Sequence, residues 1–431
     1  MLTVYSEHIT PRLEYICDLL FQDMVGIDIM LSSDRDSLNP AHACINYSNE
    51  EIEGVPFIRP HGLLSNSEVR TTPQFVVDEQ GHFFHADSNL FDFDVLAASF
   101  YLVSRHEEYT AAPAAFDEHG RFRAEESLAG KHKLLHRPLV DQWALELRTK
   151  LLTLYPTVSY TQRTYRFLST YDIDVAFAYG NRGFLREVGS QFKDLISLKW
   201  KRFRERRKVL KGELKDPYDS YEQQQHDLTA HGIDSKHFFL LGDYGDLDKN
   251  ISHKKEVMTA LIKKVSSFSS VGIHPSMGSQ KSKRKVSKEI KRLAKITGSP
   301  VTLSRQHFLS FKLPHSFQEL ADLGIKEDYS MAYAEALGFR ASTCTPHQFF
   351  DLEKNKASDL LLVPTCVMDS TLKDYLNLQP EAAKKEVTGL ISSVKKVSGT
   401  FVSLWHNHSI TDYGEWTGWK EVYTDILDKA S

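Results

Sequence analysis

The sequence predicts an α/β protein: a (β/α) barrel of about seven strands preceded by a smaller α/β module. Three observations predict it. Beyond residue 161, short apolar runs alternate with stretches of helical periodicity, as parallel strands joined by crossover helices do. Nearly every one of those runs ends in polar, chemically capable residues. A barrel gathers such ends at one mouth, whereas an open doubly wound sheet concentrates its site at a single switch point. Residues 1–160 have a rhythm of their own, which sets them apart as a module and puts the boundary near 155–165.

In the module, "LTVYS", "GIDIMLSS" and "ACINYS" are rich in Val, Ile and Tyr and read as strands. "RLEYICDLLFQDM" spaces its apolar residues as one helix. "FDFDVLAASFYLVSRHEEYT" predicts a helix capped by Asp94, with Leu96, Phe100 and Val103 on one face and Arg105, Glu107 and Glu108 charging its end. A polar stretch, "DEHGRFRAEESLAGKHK", leads into a further helix, "RPLVDQWALELRTKLL". In the barrel region (161–431) the strand runs are "YRFLSTYDID", "KHFFLLGDYGD", "SVGIHPS", "PVTLSRQH", "GFRASTCTP", "LLLVPTCVMDS" and "TFVSLWHNH". "HKKEVMTALIKKVSSF" and "SKEIKRLAKITG" are helices between them.

Composition narrows the class. A net charge of −4 over 431 residues argues against a nucleic-acid binder. No segment approaches the roughly 18 apolar residues of a membrane span, and "MLTVYSEHITPRLEYI" has neither the basic nor the apolar region of a signal peptide. Cys17, Cys44, Cys344 and Cys366 are scattered, as reduced thiols are. The expectation is a soluble cytoplasmic protein. The basic segment "LKWKRFRERRKVLK" (198–211) reads as a solvated amphipathic helix, with peripheral contact to an anionic membrane surface as its functional alternative. "KSKRKVSKEIKR" (281–292) reads as a solvated helix face, with acidic-glycan binding as the alternative.

The densest chemistry is in "FLSTYDIDVAF", where a strand-like run ends in Asp172 and Asp174. One acid would cap a following helix; two acids at a barrel mouth suit a catalytic site. "STYDID", "VGIHPS", "SRQHFL" and "LWHNHS" together resemble the motifs of the polysaccharide deacetylase superfamily (NodB-homology, carbohydrate esterase family four). "FYLVSRHEEY", "GDYGDLDKN", "GIHPSMGS" and "DYSMAYAEALGFRASTCTP" are similar to a subgroup with an N-terminal module of about this size.

The resemblance implies metal-assisted removal of an acetyl group, most often N-acetyl, from a sugar or polysaccharide. By position it implies Asp172 as general base, Asp174 and His274 as ligands of a divalent metal such as Zn²⁺, Arg305 holding the base and His406 as general acid. Asp328 or Asp369 would orient His406. Two departures stand out. Ile173 separates the acids that the family keeps adjacent, so either acid is a candidate ligand. Gly278 occupies the place of the second histidine. A catalytic zinc takes three protein ligands, and the third is open among His253, His307, Asp243 and His408. Asp243 and His307, with Arg340 and Trp405, are otherwise expected to bind substrate. Two rival readings follow: a lapsed barrel that binds glycan without hydrolysing it, and a glycoside hydrolase using Asp172 with a second carboxylate about 5–10 Å away.

Overall fold

The computed structural model describes residues 1–69, 73–180 and 200–431, and the chain builds two sheets. The first holds β1 (Leu2–Tyr5), β2 (Ile29–Ser32), β3 (Cys44–Tyr47) and β4 (Phe57–Ile58), all parallel in the order β2-β1-β3-β4. The helix expected after β1 starts at Pro11, capped by the Thr10 hydroxyl, which accepts from the Leu13 amide at 3.2 Å. It becomes a wider π-type helix over Asp18–Val25. Asp94 caps the next helix, Val95–Val103, and also accepts from the Tyr47 hydroxyl at 2.8 Å.

That helix is shorter than its sequence predicts and is buried on every side. It breaks at Arg105, whose φ of 55° is left-handed, and resumes over His106–Thr110. The break lets the buried Arg105 guanidinium reach Glu107 at 2.8 Å and Glu108 at 2.7 Å. The helix Leu139–Leu154 completes this part. The following chain runs tightly past Gly26, where an added Cβ would lie 2.0 Å from the Thr161 carbonyl oxygen.

The second sheet has nine strands: β5 (Arg166–Ile173), β6 (Asp234–Phe239), β7 (Ser270–Ile273), β8 (Leu303–Ser304), β9 (Glu327–Asp328), β10 (His347–Asp351), β11 (Lys356–Leu362), β12 (Val367–Met368) and β13 (Thr400–His406). Their order is β10-β11-β9-β8-β7-β6-β5-β13-β12, parallel except for the β10–β11 hairpin. Two sequence expectations bear on this sheet. A barrel is expected, and among the described residues no ladder joins β10 or β11 to β12. The chain between β11 and β12 passes through Pro364, which has no N–H to give, and the Thr365 amide turns away to the Met331 carbonyl at 3.1 Å. Secondly, "GFRASTCTP" is a loop: buried Asp141 accepts from the Thr343 hydroxyl at 2.7 Å and the Cys344 amide at 3.0 Å and holds it there. The two-residue β9 takes the place expected of it.

The sheet curls strongly. Leu168, Phe238, Leu303, Tyr329, Val363 and Val402 meet on its concave side. Helices cover the convex side, and Met258, Leu261, Ile262 and Val265 of Glu256–Ser266 show how: they recur at helical spacing and face the main core. No helix among the described residues is long and apolar enough to cross a membrane. The basic segment forms a helix over Trp200–Leu210, with Arg206 buried 4.8 Å over the Tyr179 ring; residues 198–199 of that expectation lie outside the described residues.

Period-two alternation now positions the site. On β5, Leu168, Thr170 and Asp172 take the concave face. On β13, in register with it, His406 lies opposite Asp172. Trp405, one residue earlier, points the other way into the helix-covered core, 5.3 Å from Tyr423.

Candidate metal centre and active site

Arg305, just past β8, is fully buried and spans the concave face. Its Nη1 donates to Asp172 Oδ1 at 3.0 Å, Nη2 to Thr170 Oγ1 at 2.8 Å and Nε to the Tyr329 carbonyl at 3.0 Å. The Phe238 ring lies 4.7 Å from the guanidinium. Asp172 is therefore held in place by a cation that burial and three acceptors keep from moving.

Asp174 follows β5 by one residue and meets three imidazoles. His274 Nε2 is 3.2 Å from its Oδ1, and His307 Nε2 and His406 Nε2 are 3.5 and 3.6 Å from its Oδ2. The other nitrogen of each ring is committed. His274 Nδ1 lies 2.6 Å from the Arg305 carbonyl, His307 Nδ1 3.0 Å from Asp248 and His406 Nδ1 2.8 Å from Asp369. Each of those partners is an acceptor, so each ring carries its proton on Nδ1. In the neutral rings, Nε2 then aims a lone pair at a carboxylate, and only a cation or further protons reconcile that geometry.

Without a cation, protons do so. Burial pulls His307 down, but Asp174 and Asp248 outweigh it and push the ring up to about 9. Burial likewise opposes Asp369 and Asp174 at His406, which is pushed up to about 10. Burial raises Asp174, yet His307, His274 and His406 bring it well below the usual carboxylate range.

A divalent ion fits the same donors. Asp174, His274 and His307 each offer one ligand atom, and these atoms lie within 4.8 Å of one another. Asp174 Oδ1 is buried with no hydrogen-bond partner among the described residues. Two imidazole nitrogens and a carboxylate oxygen, with the rings oriented from behind by acceptors, make a catalytic-type set with room for water or substrate.

The loop that should have supplied the missing histidine does something else. Asp248 accepts from the amides of Met277 and Gly278, both at 2.9 Å, while it orients His307. A Cβ on Gly278 would come within 3.3 Å of that carboxylate. His307 arrives instead from the loop after β8, two residues beyond Arg305.

A cavity of about 330 Å³ opens over the cluster, walled by Asp172, Asp174, His274, His307, His406 and Arg121, among others. Of the remaining candidates, His408 also lines it, and burial with His406 pushes that ring down to about 4. Four expected residues lie elsewhere. Asp243 is exposed on the surface, paired with Arg292 and Lys288. His253 sits in that same separate groove. Arg340 is buried against Glu108 at 2.7 Å, and Trp405 is in the core. Asp328 is on the concave side but accepts from the Ser304 hydroxyl and the Ser330 amide, and burial raises its carboxyl. Asp369, the other candidate, is the one against His406. Sequence reading missed two residues: Asp248, although "GDYGDLDKN" was conspicuous, and Arg121, hidden in a polar stretch. Only an Asp-to-Gly turn signal marked the latter.

Residues 2–156 match the model of a family of unknown function, DUF7033. No curated protein matches the chain. Solved structures similar to it include a candidate polysaccharide deacetylase from Mycobacterium smegmatis, at 14% identity and a TM-score of 0.41, over 63% of this chain and 86% of that one. A polysaccharide deacetylase from Bacillus cereus is similar at 11% identity and a TM-score of 0.32, over 62% and 88%. A mutant of a CE4 family pseudoenzyme with restored enzymatic activity is similar at 11% identity and 0.30, over 62% and 68%.

Proposed function

We propose that the chain is a metal-dependent hydrolase that removes an acetyl group, most often from nitrogen, from a sugar or glycan. One observation carries the reading. Three imidazoles with their Nδ1 atoms spoken for converge through Nε2 on one partly buried carboxylate, beside a second carboxylate held by an arginine. Asp174, His274 and His307 hold the metal in this reading. When bound, the ion polarises the acetyl carbonyl and lowers the pKa of a water to about 7.

The protein's own groups do the rest. Asp172 Oδ2 is 3.7 Å from His274 Nε2, so it borders the metal position without belonging to the ligand set. Arg305 keeps that carboxylate aimed, and Asp172 takes a proton from the attacking water. His406 is poised to give one. Its Nε2 faces the cavity, and the buried Asp369 on Nδ1 stabilises the imidazolium that protonates the departing nitrogen. The two acids of "YDID" thus divide the work, because a metal-bound carboxylate is not free to act as base.

The lapsed-barrel reading drew its force from Gly278. That force weakens once His307 stands where a third ligand is needed. The test is metal content of purified protein together with acetate release from N-acetylated sugars. Bound metal with acetate release supports the reading; metal-free protein that releases none refutes it.

A further inference from the structure

Phe116 and Phe122 pair across a tight antiparallel turn in the part of the chain before residue 156. Inside it, Asp117 Oδ1 accepts from the amides of His119 at 2.9 Å and Arg121 at 2.8 Å. Gly120, with φ of 74°, closes the turn. The turn leans on the loop that carries His307: the Ser310 hydroxyl donates to the His119 carbonyl at 2.7 Å, and the His119 ring stands 5.1 Å from Phe308. Its Arg121 is 7% exposed and forms part of the wall of the cavity over the metal cluster.

The guanidinium is held from behind. Nε donates to Asp117 Oδ2 at 2.6 Å, and Nη1 to the Tyr375 hydroxyl at 3.1 Å and the Phe308 carbonyl at 3.4 Å. Nη2 has no partner among the described residues, yet it is not sealed off with the buried orphaned atoms. A largely buried arginine donor that protein leaves unsatisfied takes water or a ligand. The other fixed charges on the wall are engaged: Asp172 by Arg305 at 3.0 Å, Asp374 by Lys373 at 2.9 Å and Asp174 by the histidines. Arg121 is the wall cation with a donor to spare.

We propose that Arg121 anchors an anionic group, a carboxylate or a phosphate, on the acetylated sugar that this cavity takes. A planar fork with a free edge suits either oxyanion. The identity of the ligand as an acetylated sugar rests on the function proposed above; the anion anchor rests on the turn and its arginine. It also gives the N-terminal part a direct role in substrate choice.

The experiment uses the 431-residue zinc-loaded chain carrying Asp172→Asn, so that substrate persists. Calorimetry compares N-acetylglucosamine, its 1-phosphate and N-acetylglucosaminuronic acid. At least one charged sugar is expected to bind roughly ten- to a hundredfold tighter than the neutral one, as a hydrogen bond to a charged group allows. Preference for one charged sugar alone identifies the source as phosphate or carboxylate. Arg121→Gln removes the preference, Arg121→Lys restores part of it, and Tyr375→Phe, which deletes a brace and keeps the cation, retains it. Equal binding of all three sugars, or a preference that survives Arg121→Gln, overturns the proposal. Acetate release by the unmutated protein is measured in parallel. Should the preference depend on Arg121 while no sugar yields acetate, the anchor stands and the deacetylase reading falls.

Discussion

Asp172 and Asp174 are separated by one residue and belong to different chemical environments. The strand's alternation puts Asp172 on the concave face against Arg305, and the chain's exit from β5 then sets Asp174 among the imidazoles. Asp172→Asn is therefore expected to keep metal and lose about 10²–10⁴ in turnover. His406→Ala should fall by a similar factor, and the double variant by less than the product, since both groups act in one reaction. Initial rates of acetate release on the two single variants and the double variant decide this; independent, multiplicative losses would break the pairing. The residue types were legible from the sequence because acids and histidines at the ends of apolar runs have few structural uses. The sequence leaves the third candidate ligand open among four residues, His307 one of them. His307 and Asp248 lie 59 positions apart in the chain and meet only through the fold.

Among the elements, β6 carries a pH response unrelated to catalysis. His237 is buried against the Tyr171 ring, with Ser269 on one nitrogen at 2.8 Å and Gln224 on the other at 2.7 Å. Burial pushes it down to about 3 from its ordinary 6.5. The unfolded chain then takes up a proton that the folded chain refuses. This stability term is whole above pH 6.5 and is lost as the pH falls toward 3. Between pH 7 and 5 the loss is about 2 kcal/mol. Other buried imidazoles, His106 among them, add to the slope, so the useful quantity is a difference. Urea unfolding at both pH values should show His237→Gln losing about 2 kcal/mol less than the unmutated protein; identical losses would mean that the ring is hydrated. Elements with long apolar runs, such as β5, β6 and β13, were readable in advance. The two-residue β8 was readable within "PVTLSRQH", whereas β9 carries too little periodicity to read, and "GFRASTCTP" has a strand's composition but is kept a loop by Asp141.

At the scale of the whole molecule, the N-terminal part and the curled sheet are tied by buried charge. Glu108 receives Arg340 through both carboxylate oxygens, at 2.9 and 2.7 Å, while also binding Arg105. Phe350 and Leu352 of the second sheet's edge sit in the first part's core. Removing one partner leaves the other charged and buried, so Glu108→Ala is expected to cost about 3–5 kcal/mol in denaturant unfolding. A loss below 1 kcal/mol would show, by the same rule, that the contact is solvated. The same docking sets Arg121 beside the Asp174–His274–His307 cluster, which the loops after β5, β7 and β8 carry, so one cavity depends on both parts. That dependence was invisible in a sequence whose two halves follow separate rhythms. The most direct test of the account is metal stoichiometry after zinc loading and desalting, for the intact chain and for His307→Ala. The account predicts about one ion per chain in the first and near background in the second, because losing one of about three protein ligands removes most of the affinity. An intact chain that holds no divalent metal, or a His307→Ala variant that keeps its full complement, would contradict it.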